Sequence, residues 1–242
     1  MANALELPPV RTQLLAQVEA ASLRLGVTRD QMTEAAARSA GSLARKLLDN
    51  QLAGATVVAL VGTGVKGCVA LHTLRLLSGF GAECVGILTG GEREMRPETS
   101  AAARVCEALR ISLLQPRSPL VRNALADARL VVDGLVGVGL EGQLREPHAT
   151  LVRLCNEVRV SALSLECPSG LDPDLGQPGA PTLRARCTLA LGLPAAGLFS
   201  ALAWQFTGEV WLCDVGYPLA ALDQSDLDGD GLFGANELFR LR

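Results

Sequence analysis

Aromatic residues are scarce, at 3% of 242 positions, and histidine occurs only twice. Since 49% of the chain is hydrophobic, the core must be aliphatic. Leu, Val and Ala packed between helices and a sheet suit a layered α/β fold. No basic stripe interleaved with aromatics occurs, and 22 Lys and Arg against 25 Asp and Glu leave a net charge of −3, so no nucleic-acid partner is expected. The seven cysteines (Cys68, Cys84, Cys106, Cys155, Cys167, Cys187, Cys213) are odd in number, scattered and without a C-x-x-C pair. Neither a disulfide framework nor a zinc site is therefore expected, and the thiols read as reduced core residues. MANALELPPVR at the N-terminus has no basic start and no apolar run of a signal peptide. No uncharged apolar stretch reaches about 18 residues. The expectation is a cytoplasmic protein with no membrane partner.

Glycine, by contrast, stands in a particular place. In VVALVGTGVKG, Val57 to Gly67, an apolar run breaks into Gly62, Gly64 and Gly67. Val57 to Val61 has β-branched and aliphatic residues at consecutive positions, the pattern of a strand buried on both faces. Helical periodicity from Val69 to Phe80 follows, so the loop lies at a strand-to-helix junction. Two readings are open: a backbone cradle for an anion, or a tight turn needing small residues. A dehydrogenase is disfavoured, because the next strand, Glu83 to Leu88, ends in Thr89-Gly90-Gly91. Glu92 beyond it is poorly placed for a ribose.

Elsewhere the pattern alternates. Val10 to Leu25 reads as an amphipathic helix stopped by Gly26, and Thr28 with Gln31 forms a capping box for a helix through Leu52. Short strands are expected at Ile111 to Leu114, Leu130 to Val132, Val160 to Leu165, Cys187 to Leu191 and Glu209 to Val215. Helices are expected over Leu120 to Ala128 and Thr150 to Val158. About six parallel-type strands with helices between them predict a doubly wound, mostly parallel sheet in an αβα sandwich. Asp133 and Glu166 then stand at strand ends, with Ser169 just after, where open α/β sheets bind ligands. Asp133 followed by the glycine-rich Gly134 to Pro147 also fits a turn or N-cap.

VVDGLVGVGLEGQLREP, SLECPSGLD, TLALGLPAAGL, GEVWLCDVGYP and MTEAAARSAGSLARKLL come in the order and at the spacing of one family. The chain resembles the YjeF N-terminal domain family over nearly all of Leu23 to Pro218. That family is best known as the NAD(P)H-hydrate epimerase, a Rossmann-like αβα sandwich, often dimeric, with a bound potassium ion. Other members are non-catalytic interaction modules, one of them in an mRNA-decapping scaffold. The resemblance implies a small nucleotide-like ligand, hydrated NAD(P)H if the chain is active, and a homodimer. It implies ligand contacts at Gly62, Gly64, Val65, Lys66, Gly67, Asp133, Gly137, Val138, Gly139, Leu140, Glu141, Gly142, Glu166 and Ser169.

The chain departs from the family where the chemistry lies. The family's G-x-G-N-N-G-G-D-G is Gly62-Thr63-Gly64-Val65-Lys66-Gly67-Cys68-Val69-Ala70 here, without either asparagine or the aspartate. The potassium-binding asparagine aligns with Lys66, while the other potassium side-chain positions, Asp133 and Ser169, are retained. An ammonium at Lys66 predicts either a replacement for the metal, reaching Asp133 and Ser169, or a side chain in solvent. Of the family's acid–base pair, the aspartate is Glu166 and the lysine is Ala195. Three functions are consistent with this: an active epimerase using Glu166, a degenerate binder of a nucleotide-like ligand, or an interaction module.

The acidic tail, 219–242, lies outside the resemblance and reads as a separate short region after a domain of residues 1–218. Asp226, Asp228, Asp230, Gly231 and Glu237 match D-x-D-x-D-G-x5-E, the EF-hand calcium loop, and the Leu232 carbonyl would complete the ligands. Its expected flanks are helices over Leu219 to Gln224 and Leu238 to Arg242. Calcium binding there and a solvated acidic tail are both open.

Overall fold

A computed structural model describes residues 9–227 and 237–242. Among the described residues the elements run α1 (Thr12–Arg24), α2 (Arg29–Leu47), β1 (Thr56–Val61), α3 (Val65–Ser78), β2 (Glu83–Leu88), α4 (Pro97–Ala108), β3 (Ser112–Leu114) and α5 (Val121–Asp127). There follow β4 (Leu130–Gly134), α6 (His148–Val158), β5 (Ala162–Leu165), β6 (Cys187–Leu191), α7 (Trp204–Thr207), β7 (Glu209–Cys213), α8 (Leu219–Asp223) and β8 (Leu238–Arg240). They build one eight-stranded sheet ordered β3-β2-β1-β4-β5-β6-β7-β8. Strands β1 to β7 are parallel, and β8 pairs antiparallel with β7.

Both faces of the sheet are covered, which is why the strands read as unbroken apolar runs. Along β1, Val57, Ala59 and Val61 join the cluster holding Ala36, Ala40 and Leu43 of α2 and Leu71 and Leu74 of α3. Val58 and Leu60 pack on the opposite side with Leu125 of α5 and Leu151 of α6. A third cluster gathers Leu15 and Val18 of α1 with Leu193, Leu198, Val210 and Leu222. Helix α2 opens on the expected capping box, Thr28 accepting from the Gln31 N–H while the Gln31 side chain accepts from the Thr28 N–H.

Strand order reverses about β1, which has β2 on one side and β4 on the other. The loops leaving β1 and β4 therefore diverge at their carboxyl ends and leave a crevice between them. Close backbone packing holds this point. A Cβ on Gly62 would lie 2.0 Å from the Leu135 carbonyl oxygen, and one on Gly67 would lie 2.0 Å from the Gly62 oxygen. These two glycines are required by the approach of one chain segment to another.

The structure differs from expectation at four points. Helix α3 begins at Val65 rather than Val69, so Lys66 and Gly67 are its first-turn residues. The Leu238 to Arg242 segment carries strand β8 and not a helix, because the β7 edge supplies backbone partners for Leu238, Phe239 and Arg240. A helix over Pro97–Ala108 joins the expected set, and the sheet has seven parallel strands where about six were expected. Of the calcium-loop residues, Asp228, Asp230, Gly231 and Leu232 lie outside the described residues. Asp226 follows the short α8, and Glu237 precedes β8 with its carbonyl accepting from the Asp214 N–H. Among the described residues no helix is long and apolar enough to cross a membrane.

Candidate functional site

At the carboxyl end of β4, Asp133 sits across from Leu60 of β1 and Ser164 of β5, with no exposed surface. Its carboxylate accepts five hydrogen bonds. Oδ2 takes the Lys66 ammonium at 3.1 Å, the Ser164 hydroxyl at 2.8 Å and the Ser169 N–H at 2.9 Å. Oδ1 takes the Ser169 hydroxyl at 2.6 Å and the Leu135 N–H at 3.2 Å. A buried carboxylate is tolerated on these terms, with every lone pair engaged and a cation beside it.

Lys66 comes from the first turn of α3 and is only 4% exposed. Besides Asp133, three further acceptors lie in reach of its Nζ and share its three N–H donors: the Cys167 carbonyl at 2.8 Å, the Val136 carbonyl at 3.0 Å and the Ser169 hydroxyl at 3.2 Å. The expected side chain in solvent is thus replaced by a buried one, and the expected reach toward Asp133 and Ser169 is realised. The three loops that follow β1, β4 and β5 are tied together at this one nitrogen.

Above the cluster, a cavity of about 520 Å³ opens between the sheet ends and helices α1 and α2. It is lined by Val65 and Val69 of α3, by Val138, Gly139 and Glu166 from the loops after β4 and β5, and by Leu191, Leu193, Ala195, Val215 and Tyr217 at and beyond the ends of β6 and β7. Thr12, Glu19, Arg29, Met32 and Thr33 descend from the two helices, and Arg96 joins them from the start of α4. Glu166 is its innermost carboxylate and is held in the left-handed region at φ 57°, a conformation that costs a non-glycine residue energy and gathers at functional sites. Its Oε2 accepts the Val138 N–H at 3.2 Å. A Cβ on Gly137 would lie 2.1 Å from that same oxygen, so the glycine lets the carboxylate in.

Burial pushes the Glu166 carboxyl above its ordinary 4.5, against the opposing pull of the Lys66 charge and the Val138 N–H. Tyr217 is also pushed up, by burial first and then by the Glu19 and Glu166 charges, so it stands in the cavity as a phenol and hydrogen-bond donor. Ala195, 2% exposed, offers only a methyl group. Just outside, Thr89 donates to the Val61 carbonyl, which leaves its oxygen to accept His148 Nε2–H at 2.9 Å. Burial lowers the His148 pKa, keeping that imidazole neutral.

The sequence profile of the family described as YjeF-related protein N-terminus matches residues 29–197. The chain belongs to this family. An NAD(P)H-hydrate epimerase of Rhodopirellula baltica is 28% identical over 225 residues, 93% of this chain and 91% of that one. One of Cenarchaeum symbiosum is 30% identical over 187 residues, 74% of this chain and 84% of that one. The crystal structure of yeast ynu0 superposes with a TM-score of 0.85, covering 97% of this chain and all of that one. At 19% identity it establishes the shared fold.

In this YjeF-related chain the residues expected at the ligand divide into four groups. Val65, Val138, Gly139 and Glu166 line the cavity. Lys66, Asp133 and Ser169 form the sealed cluster beneath it, while Gly62, Gly67 and Gly137 permit close packing. Gly64 caps α3 with open space around its Cα, and Leu140, Glu141 and Gly142 continue the loop away from the cavity lining. Sequence reading missed Glu19, Arg29, Arg96 and Tyr217. For the arginines a signal was available: Arg29 opens α2 and Arg96 caps α4, where the helix dipole disfavours a cation unless something else requires it.

Glu166 carries a stability signature. Its folded-state pKa is raised, so the ionised form is disfavoured in the fold. The cost is absent well below pH 4.5, where the group is protonated folded or unfolded, and is complete above the folded pKa. Glu166→Gln is expected to match the parent's Tm well below pH 4.5 and to exceed it at pH 8. Thermal melts across that range check it, and equal melting temperatures at pH 8 would count against a buried ionised Glu166.

Proposed function

We propose that this protein is an NAD(P)H-hydrate epimerase-like binder that holds a nucleotide-like ligand in the cavity beside Glu166 and turns it over weakly or not at all. The observation that carries this reading is the make-up of the cavity lining: the acid Glu166 is present, and at the position where the resemblance implies its basic counterpart stands a methyl group, Ala195. Proton exchange at a substrate ring requires a group to give a proton and one to take it, each within hydrogen-bond reach. With no amine at 195, the acid–base groups left in the lining besides Glu166 are the Glu19 carboxyl and the Tyr217 phenol. The Glu166 carboxylate is also one methylene further out than the aspartate that the resemblance implies, and such displacements are costly in a proton transfer.

Binding is better supported than turnover. The cavity volume falls within the range of small-molecule sites. Arg29 and Arg96 supply cations at its margin, and the α3 N-terminus at Gly64 and Val65 opens beside it, an arrangement suited to phosphate oxygens. A specific observation favours the second reading, an active epimerase: burial raises the Glu166 carboxyl above its ordinary pKa, the direction that suits a group which must give a proton as well as take one. Incubation with the non-dehydratable epimer of hydrated NADPH, followed chromatographically, separates the two. Conversion close to the spontaneous rate is expected. Conversion well above it, abolished by Glu166→Gln, would establish the active enzyme instead.

A further inference from the structure

The four oxygens around the Lys66 nitrogen make an unusual surrounding for a lysine. Two are backbone carbonyls, of Val136 and Cys167, one is the Ser169 hydroxyl and one is the Asp133 carboxylate, all within 3.2 Å. Carbonyl, hydroxyl and carboxylate converging from loops that are distant in sequence is the donor set of a hard metal cation. An ammonium has three N–H donors to satisfy, and this cage offers it four oxygens, one carboxylate and three neutral. The potassium ion implied by the resemblance does not fit here, since the ammonium occupies the position among these oxygens that a cation would take.

We infer that Lys66 is a built-in monovalent cation, making the loops around the ligand cavity independent of potassium. A lysine ammonium is a compact point charge with three donors on a flexible stem, and α3 delivers it into the cage from its first turn. By binding the Val136 and Cys167 carbonyls it holds the segments that carry Val138, Gly139 and Glu166 into the cavity. A free ion exchanges with solvent and leaves when the medium lacks it. The lysine is covalently tethered, so the geometry around Glu166 does not vary with the potassium-to-sodium ratio. This inference stands on the cage and holds whether or not the cavity turns a ligand over.

Two measurements on the full chain test it. In thermal melts at matched ionic strength, the parent protein is expected to unfold within about 1 °C in potassium, sodium and choline chloride, because a site already filled has no linkage to added ion. A potassium-selective rise in the parent Tm would overturn the inference. Lys66→Asn is expected to melt lower than the parent in choline chloride and to regain about 5 °C or more in 100 mM potassium chloride, the linkage expected of a site near saturation. A variant equal to the parent in choline chloride would overturn it, as would a destabilised variant that potassium does not restore. Should Lys66→Asn fail to fold in either salt, crystals of the parent soaked in rubidium chloride decide. No anomalous peak within the oxygen cage supports the inference, and a peak beside Asp133 overturns it.

Discussion

Asp133→Ala is expected to lower the melting temperature by roughly 6–20 °C, from the 3–5 kcal/mol cost of orphaning a buried charge and 2–4 °C per kcal/mol in a chain of this size. The magnitude follows from what is left behind. Lys66 is 4% exposed and has no route to water without withdrawing from the cage, and the Ser164 and Ser169 hydroxyls and the Ser169 N–H lose their acceptor together. An uncompensated buried ammonium is far more costly than the absence of the pair. Lys66→Met in the Asp133→Ala background is therefore expected to recover part of the loss, although Lys66→Met alone destabilises the chain. Denaturant titration of the four proteins in the cycle measures the coupling. Strictly additive losses would mean that the two groups do not depend on each other.

The second large effect is a gain. Glu166→Asp with Ala195→Lys is expected to raise epimerisation of hydrated NADPH by about 10²-fold or more over the parent chain, the contribution of a positioned general acid–base group. Ala195 and Glu166 line the same cavity, so a lysine at 195 directs its amine into the space the carboxylate borders. The apolar Leu191 and Leu193 nearby can cover its methylene stem. Aspartate draws the carboxylate back by one methylene. Each single change is expected to achieve little, because a proton donor without its acceptor leaves the same step incomplete. Chromatographic rates for both singles and the double variant test this. A folded double variant that binds the reduced cofactor and gains no rate would show that the loop and cavity shape, and not the missing amine, limit the chemistry.

The sequence disclosed the sheet because its strands are buried on both faces, so Val57 to Val61 and Leu130 to Val132 had to be unbroken apolar runs. Helix α4 was not legible. It buries Thr99, Ser100, Ala102, Ala103 and Cys106, small residues that leave almost no hydrophobic period to detect. Strand β8 was hidden for a different reason: its existence depends on the open edge of β7, a tertiary partner that no local pattern announces. The buried cluster could be anticipated, since Lys66, Asp133 and Ser169 each end or follow a strand. The cavity could not. Its roof comes from α1 and α2, whose Glu19 and Arg29 lie 147 and 137 residues before Glu166 in the numbering and pair with each other at 3.1 Å.

Burial lifts all seven cysteine thiols above their ordinary 9.0, six of them to about 11 or 12. All but Cys84 are fully buried. Thiolate is the species that oxidants and alkylating reagents attack, so the folded molecule withholds both the charge and the access that such reactions need. The cysteines are spread through the layers, with Cys68 and Cys106 on α3 and α4, Cys155 on α6, and Cys187 and Cys213 on the far strands. Each of the six buried thiols becomes reactive only as its own layer opens. The chain therefore carries chemical reporters of its breathing motions at native positions, without any label being introduced.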